Sequence, residues 1–139
     1  MAQSIREVMT ADPRTVDADA TSIDAAREMR DADVGAIIVV ENGSVAGIIT
    51  DRDIVVRVVA DGKDPSSARV RDAATMNPVT LNVDQTVEDA IRTMREQDIR
   101  RIPVVQDGRP AGIVSLGDLA IERDTDSVLA DIASEPANN

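Results

Sequence analysis

Residues 47–53 read GIITDRD and residues 112–118 read GIVSLGD. Each heptad opens on glycine, runs through two aliphatic residues to a hydroxyl residue, and closes on aspartate. Each follows a short apolar run and a two-residue turn signal, Asn42-Gly43 or Asp107-Gly108. Working outward, residue 9 aligns with residue 74, and the same offset of 65 holds without a gap to residues 55 and 120. Identities along it include Thr10/Thr75, Pro13/Pro78, Thr21/Thr86, Asp24/Asp89, Met29/Met94, Asp33/Asp98, Val39/Val104 and Gly43/Gly108. The chain is a duplication. One copy is too small to bury a good core alone, so the copies are expected to pack on each other.

Each copy reads as strand, helix, strand, strand, helix, preceded by a proline-containing segment. The first strand is Thr15-Val16 or Thr80-Leu81. The next helix opens on Thr21-x-x-Asp24 or Thr86-x-x-Asp89, a capping box with aspartate in the glutamate position. Val87, Ala90, Ile91 and Met94 fall at i, i+3, i+4 and i+7; Ile23, Ala26 and Met29 are the weaker counterpart. The methionines read as core. AIIVV (36–40) or IPVV (102–105) is a buried strand, and Asn-Gly or Asp-Gly turns it back into VAGIIT (45–50) or AGIVS (111–115). A helix follows, with Ile54, Val55, Val58 and Val59 on one side. The expected domains are 5–61 and 71–123, joined by a turn-rich linker, 62–70, and followed by an acidic, partly disordered tail, 124–139.

Composition narrows the function. The 139 residues carry a net charge of −11 and contain no His, Cys, Phe, Tyr or Trp. The field repels nucleic acid and anionic membranes, and no aromatic is present on which bases could stack. Imidazole bases, thiolate nucleophiles and disulfides are excluded. No stretch approaches the roughly 20 apolar residues of a membrane span, and the N-terminus has no signal-peptide run. The expectation is a cytoplasmic protein that is not an enzyme. Asp51/Asp53 and Asp124/Asp126 are the acid pairs an enzyme reading would use, but in so acidic a chain such pairs arise by chance.

The heptad suits a ribose-phosphate. The hydroxyl of Thr50 or Ser115, at a strand-to-helix junction, and the backbone N–H groups after it can hold phosphate oxygens. Asp53 or Asp118, in the first helical turn, can accept bonds from two vicinal ribose hydroxyls. The same spacing is also an N-cap box, and duplication copies caps as readily as sites.

Taken together, Met9-Thr10-x-x-Pro13, VGAIIVV (34–40), IRRIPVV (99–105) and the two heptads resemble a tandem pair of CBS domains, the cystathionine-β-synthase-type regulatory unit or Bateman module. The resemblance covers residues 5–123. It implies an α+β fold, α/β-like in its parallel crossovers, of two pseudo-twofold-related β-α-β-β-α units packed through their sheets, with two clefts. It implies an adenosine ligand: AMP, ADP, ATP, NAD or S-adenosylmethionine. Asp53 and Asp118 would hold ribose; Thr50 and Ser115 would hold phosphate, with Arg52, Arg100 and Arg101 as candidate cations. Thr15, Val16, Val34, Gly35, Ala36 and Ile37 would line one base pocket. Val79, Thr80, Leu81, Ile99, Ile102 and Pro103 would line the other. Without aromatics, Ile37, Ile102 and Pro103 are the candidates to sandwich adenine.

A stand-alone regulatory module of this kind is expected to signal by conformational or oligomeric change. It would act as a homodimer, with the Ile54/Val55/Val58/Val59 face available for it, or through a separate protein target. The competing reading is an interaction or stress protein that needs no nucleotide and uses the heptads as helix caps.

Overall fold

The Thr-x-x-Asp signals that open the long helices work as read. In the computed structural model, which describes residues 3–123, Thr21 begins α2 (Ser22–Ala32) and Thr86 begins α5 (Val87–Gln97). Each threonine oxygen accepts the aspartate N–H, and each aspartate carboxylate accepts the threonine N–H, at 3.0–3.3 Å. Both helices end on an aspartate in the left-handed region, Asp33 (φ 56°) and Asp98 (φ 54°). The next N–H, of Val34 or Ile99, bonds back to the carbonyl of Met29 or Met94 (3.0 and 3.1 Å), the six-to-one closure that turns a helix sharply toward the next strand.

The other elements follow in chain order. Before α2 come α1 (Ile5–Val8), β1 (Thr10–Ala11) and β2 (Thr15–Asp17). After it come β3 (Ala36–Glu41), β4 (Ser44–Thr50) and α3 (Asp51–Ile54), which runs into a π-helical turn at Val55–Val59. The second copy continues with α4 (Val70–Ala73), β5 (Thr75–Met76) and β6 (Leu81–Asn82). It closes with β7 (Arg101–Gln106), β8 (Arg109–Ser115) and α6 (Leu116–Arg123) on either side of their turns. The two hairpin turns carry positive φ at both central residues, Asn42-Gly43 and Asp107-Gly108, which matches the twist of the strands they join.

Two four-stranded sheets result, ordered β2-β3-β4-β5 and β1-β8-β7-β6. β2 and β6 run parallel to β3 and β7, with α2 and α5 as the crossovers; the remaining pairs are antiparallel. One outer strand of each sheet, β5 or β1, therefore comes from the other copy of the repeat. One compact unit spans Arg14–Pro78, and the other joins the residues up to Pro13 to those from Val79 onward. The duplicated sequence runs over 5–61 and 71–123, but the compact units change over after the proline shared by the two copies, Pro13 and Pro78. The four-residue helices α1 and α4, part of these exchanged segments, were not anticipated from the sequence. A usable signal for α1 exists in Ser4-x-x-Glu7, where the Ser4 N–H donates to the Glu7 carboxylate (3.0 Å). The expected tail, 124–139, lies outside the described residues.

Each unit has its own aliphatic core. In Arg14–Pro78 it gathers Val16, Met29, Ile37, Val39, Ile49 and Val58; in the other unit, Ile5, Leu81, Met94, Ile102, Val104 and Val114. Burial at roughly 25 cal/mol per Å² of apolar area is the main stabilising term in both. The buried positions of α2 are Ser22, Ala25 and Met29. Ile23, placed on the core face from sequence, is only half-buried because Ser22 turns inward and donates its hydroxyl to the Ala68 carbonyl (3.1 Å). The helix after β4 also differs from expectation. Ile54 and Val58 are core, whereas Val55, Val56 and Val59 are exposed, since the wider π turn rotates successive side chains off a single face.

Candidate functional site

The two heptads close the central hairpins of the two sheets, and their opening glycines sit where another strand crosses. A Cβ built on Gly47 would lie 2.7 Å from the Thr75 carbonyl oxygen and 2.9 Å from the Met76 sulfur. On Gly112 it would lie 2.7 Å from the Thr10 carbonyl and 2.6 Å from the Met9 sulfur. The close backbone approach anticipated at these positions is made by β5 and β1, the exchanged strands.

At the other end of each heptad the hydroxyl and the carboxylate close on each other. Thr50 N–H donates to Asp53 Oδ2 (2.9 Å), and Asp53 N–H donates to Thr50 Oγ1 (3.1 Å). Ser115 and Asp118 repeat this at 2.9 and 3.1 Å. The N–H of the first helical residue is also taken in each unit: Asp51 donates to the Gly35 carbonyl (3.0 Å) and Leu116 to the Arg100 carbonyl (2.8 Å). All four hydroxyl and acid residues are half-buried. Burial pushes the Asp118 carboxyl above the ordinary aspartate range, and the backbone and hydroxyl bonds from Ser115 only partly offset it.

The units part company at the second helical residue. The Arg52 N–H donates to Asp51 Oδ1 (2.8 Å). The first three amides of α3 are thus all satisfied within the unit, which corrects the expectation of free N–H groups there. Gly117 stands in the place of Arg52, and its neighbour is Leu116 rather than an aspartate, so no side chain at that position caps the Gly117 amide. A second difference lies across the ladder. Arg101 is the register partner of Ser115, whereas Ala36 is the partner of Thr50. Directly opposed residues project on the same face of a sheet, so a half-buried guanidinium stem flanks the Ser115 hydroxyl in one unit only.

The remaining candidates divide by orientation. Val16, Leu81, Ile37 and Ile102 are core side chains, and Pro103 is fully buried. The aliphatic sandwich expected from Ile37, Ile102 and Pro103 is therefore corrected: those side chains are committed to packing. Thr15, Val34, Val79 and Thr80 are exposed, Ala36 and Ile99 half-buried, and Gly35 buried. Arg52 and Arg100 are exposed; Arg100 lines a groove between α5 and α6 and not the ladder position held by Arg101. The signal missed in the sequence is the identity of residues 51 and 116. Inside a heptad noted for its shared positions, Asp51 against Leu116 decides whether an amide is capped.

Among the described residues, no group of three or more carboxylates, imidazoles or thiolates is placed to hold a metal ion, and no helix is long and apolar enough to cross a membrane.

Comparison with known proteins bears on the whole chain. The CBS domain family model matches residues 5–60 and 70–123. YlbB of Bacillus subtilis is 41% identical over 135 residues, covering 93% of this chain and 90% of that protein. Hypoxic response protein 1 of Mycobacterium tuberculosis is 33% identical over 116 residues, covering 83% and 81%. Among solved structures, Hypoxic Response Protein I with two coordinated zinc ions superposes with a TM-score of 0.77 at 31% identity, over 85% of this chain and 97% of that one. A hexameric CBS-CP12 protein from bloom-forming cyanobacteria gives 0.78 at 33% identity, over 91% and 74%. Both sequence copies, both sheets and these relatives agree: the chain belongs to the CBS-domain family, as a tandem CBS pair.

Proposed function

We propose that this CBS pair is a regulatory module that binds a phosphate-bearing adenosine nucleotide, of the AMP, ADP or ATP class, at the second heptad. The observation that carries the reading is the surroundings of Ser115: Arg101 stands opposite it on the ladder, and the Gly117 amide beyond it is left uncapped by Leu116. A cation, a hydroxyl and an N–H at the start of α6 suit a phosphate. Asp118 Oδ2 is used by the cap, which leaves Oδ1 to accept from ribose hydroxyls. A local cation matters because the chain's net charge of −11 opposes any anion.

In the unit Arg14–Pro78 a different reading is favoured. Asp51 occupies the Arg52 amide and adds a negative charge beside it. There Thr50 and Asp53 serve mainly as a helix cap, and Arg52 points to solvent. NAD and S-adenosylmethionine are weaker candidates for the second heptad, the latter because it brings a cation and no phosphate to Arg101.

The module is proposed to signal through association of copies or with a separate protein target. Val55, Val56 and Val59, exposed on the π turn, offer an apolar face to a second copy in place of the Ile54 and Val58 side chains. Zinc, named for one structural relative, is not carried over, because this chain has no His or Cys.

The test is a thermal-shift panel with AMP, ADP, ATP, NAD and S-adenosylmethionine on the wild type and on Asp53→Ala, Asp118→Ala and Arg101→Ala. A ligand that binds only the folded state at 100 Kd adds about 2.7 kcal/mol. The expected pattern is a shift with a phosphate-bearing nucleotide that survives Asp53→Ala and is lost in the other two variants. Absence of any shift at millimolar nucleotide overturns the reading in favour of an interaction module.

A further inference from the structure

The chain presents an oxidant with one kind of target. It contains no Cys, His, Tyr or Trp, and its oxidisable side chains are five methionines. Met29 and Met94 are 7% and 6% exposed, inside the two cores. Met9 and Met76 are half-buried. Met76 lies on β5 and Met9 directly precedes β1, the exchanged outer strands, so both stand at a sheet edge that a small oxidant can reach. Met1 lies outside the described residues.

Both edge sulfurs fill the same kind of notch. The point where a Cβ would stand on Gly112 is 2.6 Å from the Met9 sulfur, and the point on Gly47 is 2.9 Å from the Met76 sulfur. Each thioether thus takes the space that a heptad glycine leaves open. The two methionines reach it from unlike positions. Met76 is the register partner of Gly47, whereas the partner of Gly112 is Ala11, and Met9 comes two residues earlier. In the duplication the counterparts of Met9 and Met76 are Ala74 and Ala11. Copying of a single residue does not explain the repeated contact; filling of the notch does.

The contact depends on the sulfur being apolar. A flexible thioether fits an irregular gap, and Met9 and Met76 each pack on their own unit's core. A sulfoxide is polar and carries an acceptor oxygen. The carbonyl oxygens of Thr10 and Thr75 stand 2.7 Å from the same two points, and as acceptors they repel that oxygen. A sulfoxide that swings out to water leaves the notch empty instead. Either way the strand loses its hold on the glycine, and β1 and β5 are only two residues long.

We propose that Met9 and Met76 are reversible oxidation sites, at which a peroxide loosens the exchanged strands from the heptad glycines. A sulfur lone pair attacks one peroxide oxygen and the O–O bond breaks. An S–O bond forms, the second oxygen leaves as water, and the sulfur gives up the two electrons that reduce the peroxide. Sulfoxide reductases, one for each epimer, return the thioether. Their electrons come from an external dithiol, since the chain has no thiol of its own, and the oxygen leaves as water.

The full chain is treated with millimolar hydrogen peroxide in the absence of nucleotide. Sulfoxide is mapped by mass at each methionine, and the thermal midpoint is read by far-UV circular dichroism. Met9 and Met76 are expected to oxidise about 10-fold faster than Met29 and Met94, because susceptibility follows exposure. The midpoint is expected to fall by about 4 °C or more and to return once both sulfoxide reductases have acted. Met9→Leu with Met76→Leu conserves volume and still carries Met1; it is expected to hold its midpoint through the same treatment. Each single variant is expected to show a smaller fall than the wild type. Equal oxidation of Met9, Met29, Met76 and Met94, sulfoxides at Met9 and Met76 with an unchanged midpoint, an equal fall in the double leucine variant, or a fall that the reductases leave in place would each overturn the proposal.

Discussion

Replacing Gly47 by alanine tests the exchange of strands between the copies. The added Cβ falls 2.7 Å from the Thr75 carbonyl oxygen, where ordinary contact begins at 3.4 Å, so β5 has to retreat by about 0.7 Å. That oxygen belongs to backbone and cannot swing aside as the Met76 sulfur can. β5 is two residues long and is held by its pairing of Met76 with Gly47 and Thr75 with Ile48, and by Asn77 N–H donating to the Ala46 carbonyl (2.8 Å). Overpacking of this kind costs about 1–3 kcal/mol, against a total stability of about 5–15 kcal/mol for a domain. At about 4 °C per kcal/mol for a chain of this size, the midpoint falls by about 4–12 °C. Thermal unfolding followed by far-UV circular dichroism reads it. Gly43→Ala is the control: φ there is +80° and the space is open, so only the left-handed penalty of about 1–2 kcal/mol applies. Gly112→Ala is expected to behave like Gly47→Ala through the Thr10 carbonyl. An unchanged midpoint for Gly47→Ala would refute the reasoning, because the crossing strand would then have room to spare.

Further outcomes follow from the helix ends and the buried acid. Asp98→Gly relieves a left-handed aspartate at the end of α5 and is expected to raise stability by up to about 1 kcal/mol in chemical denaturation; a loss would show that the Asp98 side chain matters more than its backbone. Asp118 binds its proton more tightly when folded than when unfolded, so the folded state loses stability as pH rises from the ordinary aspartate value of 3.8 through the raised folded one. Asp118→Asn has no such proton, and the stability difference between wild type and variant is expected to move in the variant's favour across that interval. A difference that stays flat with pH would show that burial does not strain this carboxylate.

Much of this molecule was legible because its signals are local. Thr21-x-x-Asp24 and Thr86-x-x-Asp89 cap helices whatever surrounds them, and Asn42-Gly43 and Asp107-Gly108 make hairpins because their backbone accepts positive φ. The apolar strands between were equally plain. α1 and α4 were not, because four residues carry too little periodicity to read, and they stand by docking on a core built mainly from the other copy. Val55 and Val59 were misplaced for a related reason: a π turn changes the angular spacing that a helical wheel assumes.

The heptads show the same division. Spacing alone said that Thr50 and Asp53, or Ser115 and Asp118, would meet at a helix start, since residues three apart across a first turn close a capping box. It did not say that the two starts differ. That depends on which atoms already occupy the amides, and on which residue faces the hydroxyl across a ladder. Arg101 standing opposite Ser115 is a fact of register, whereas Asp51 reaching the Arg52 amide is a bond between neighbours in the chain. The sequence by itself determined a duplicated CBS pair, its helices, its hairpins and its paired hydroxyl and acid residues, because capping, turn preference and apolar periodicity act over a few bonds. Only the tertiary structure decided that each sheet takes one outer strand from the other copy, and that the glycines are required by that strand. It alone showed that Arg101 stands opposite Ser115 where Ala36 stands opposite Thr50, because those outcomes rest on contacts between residues well separated in the chain.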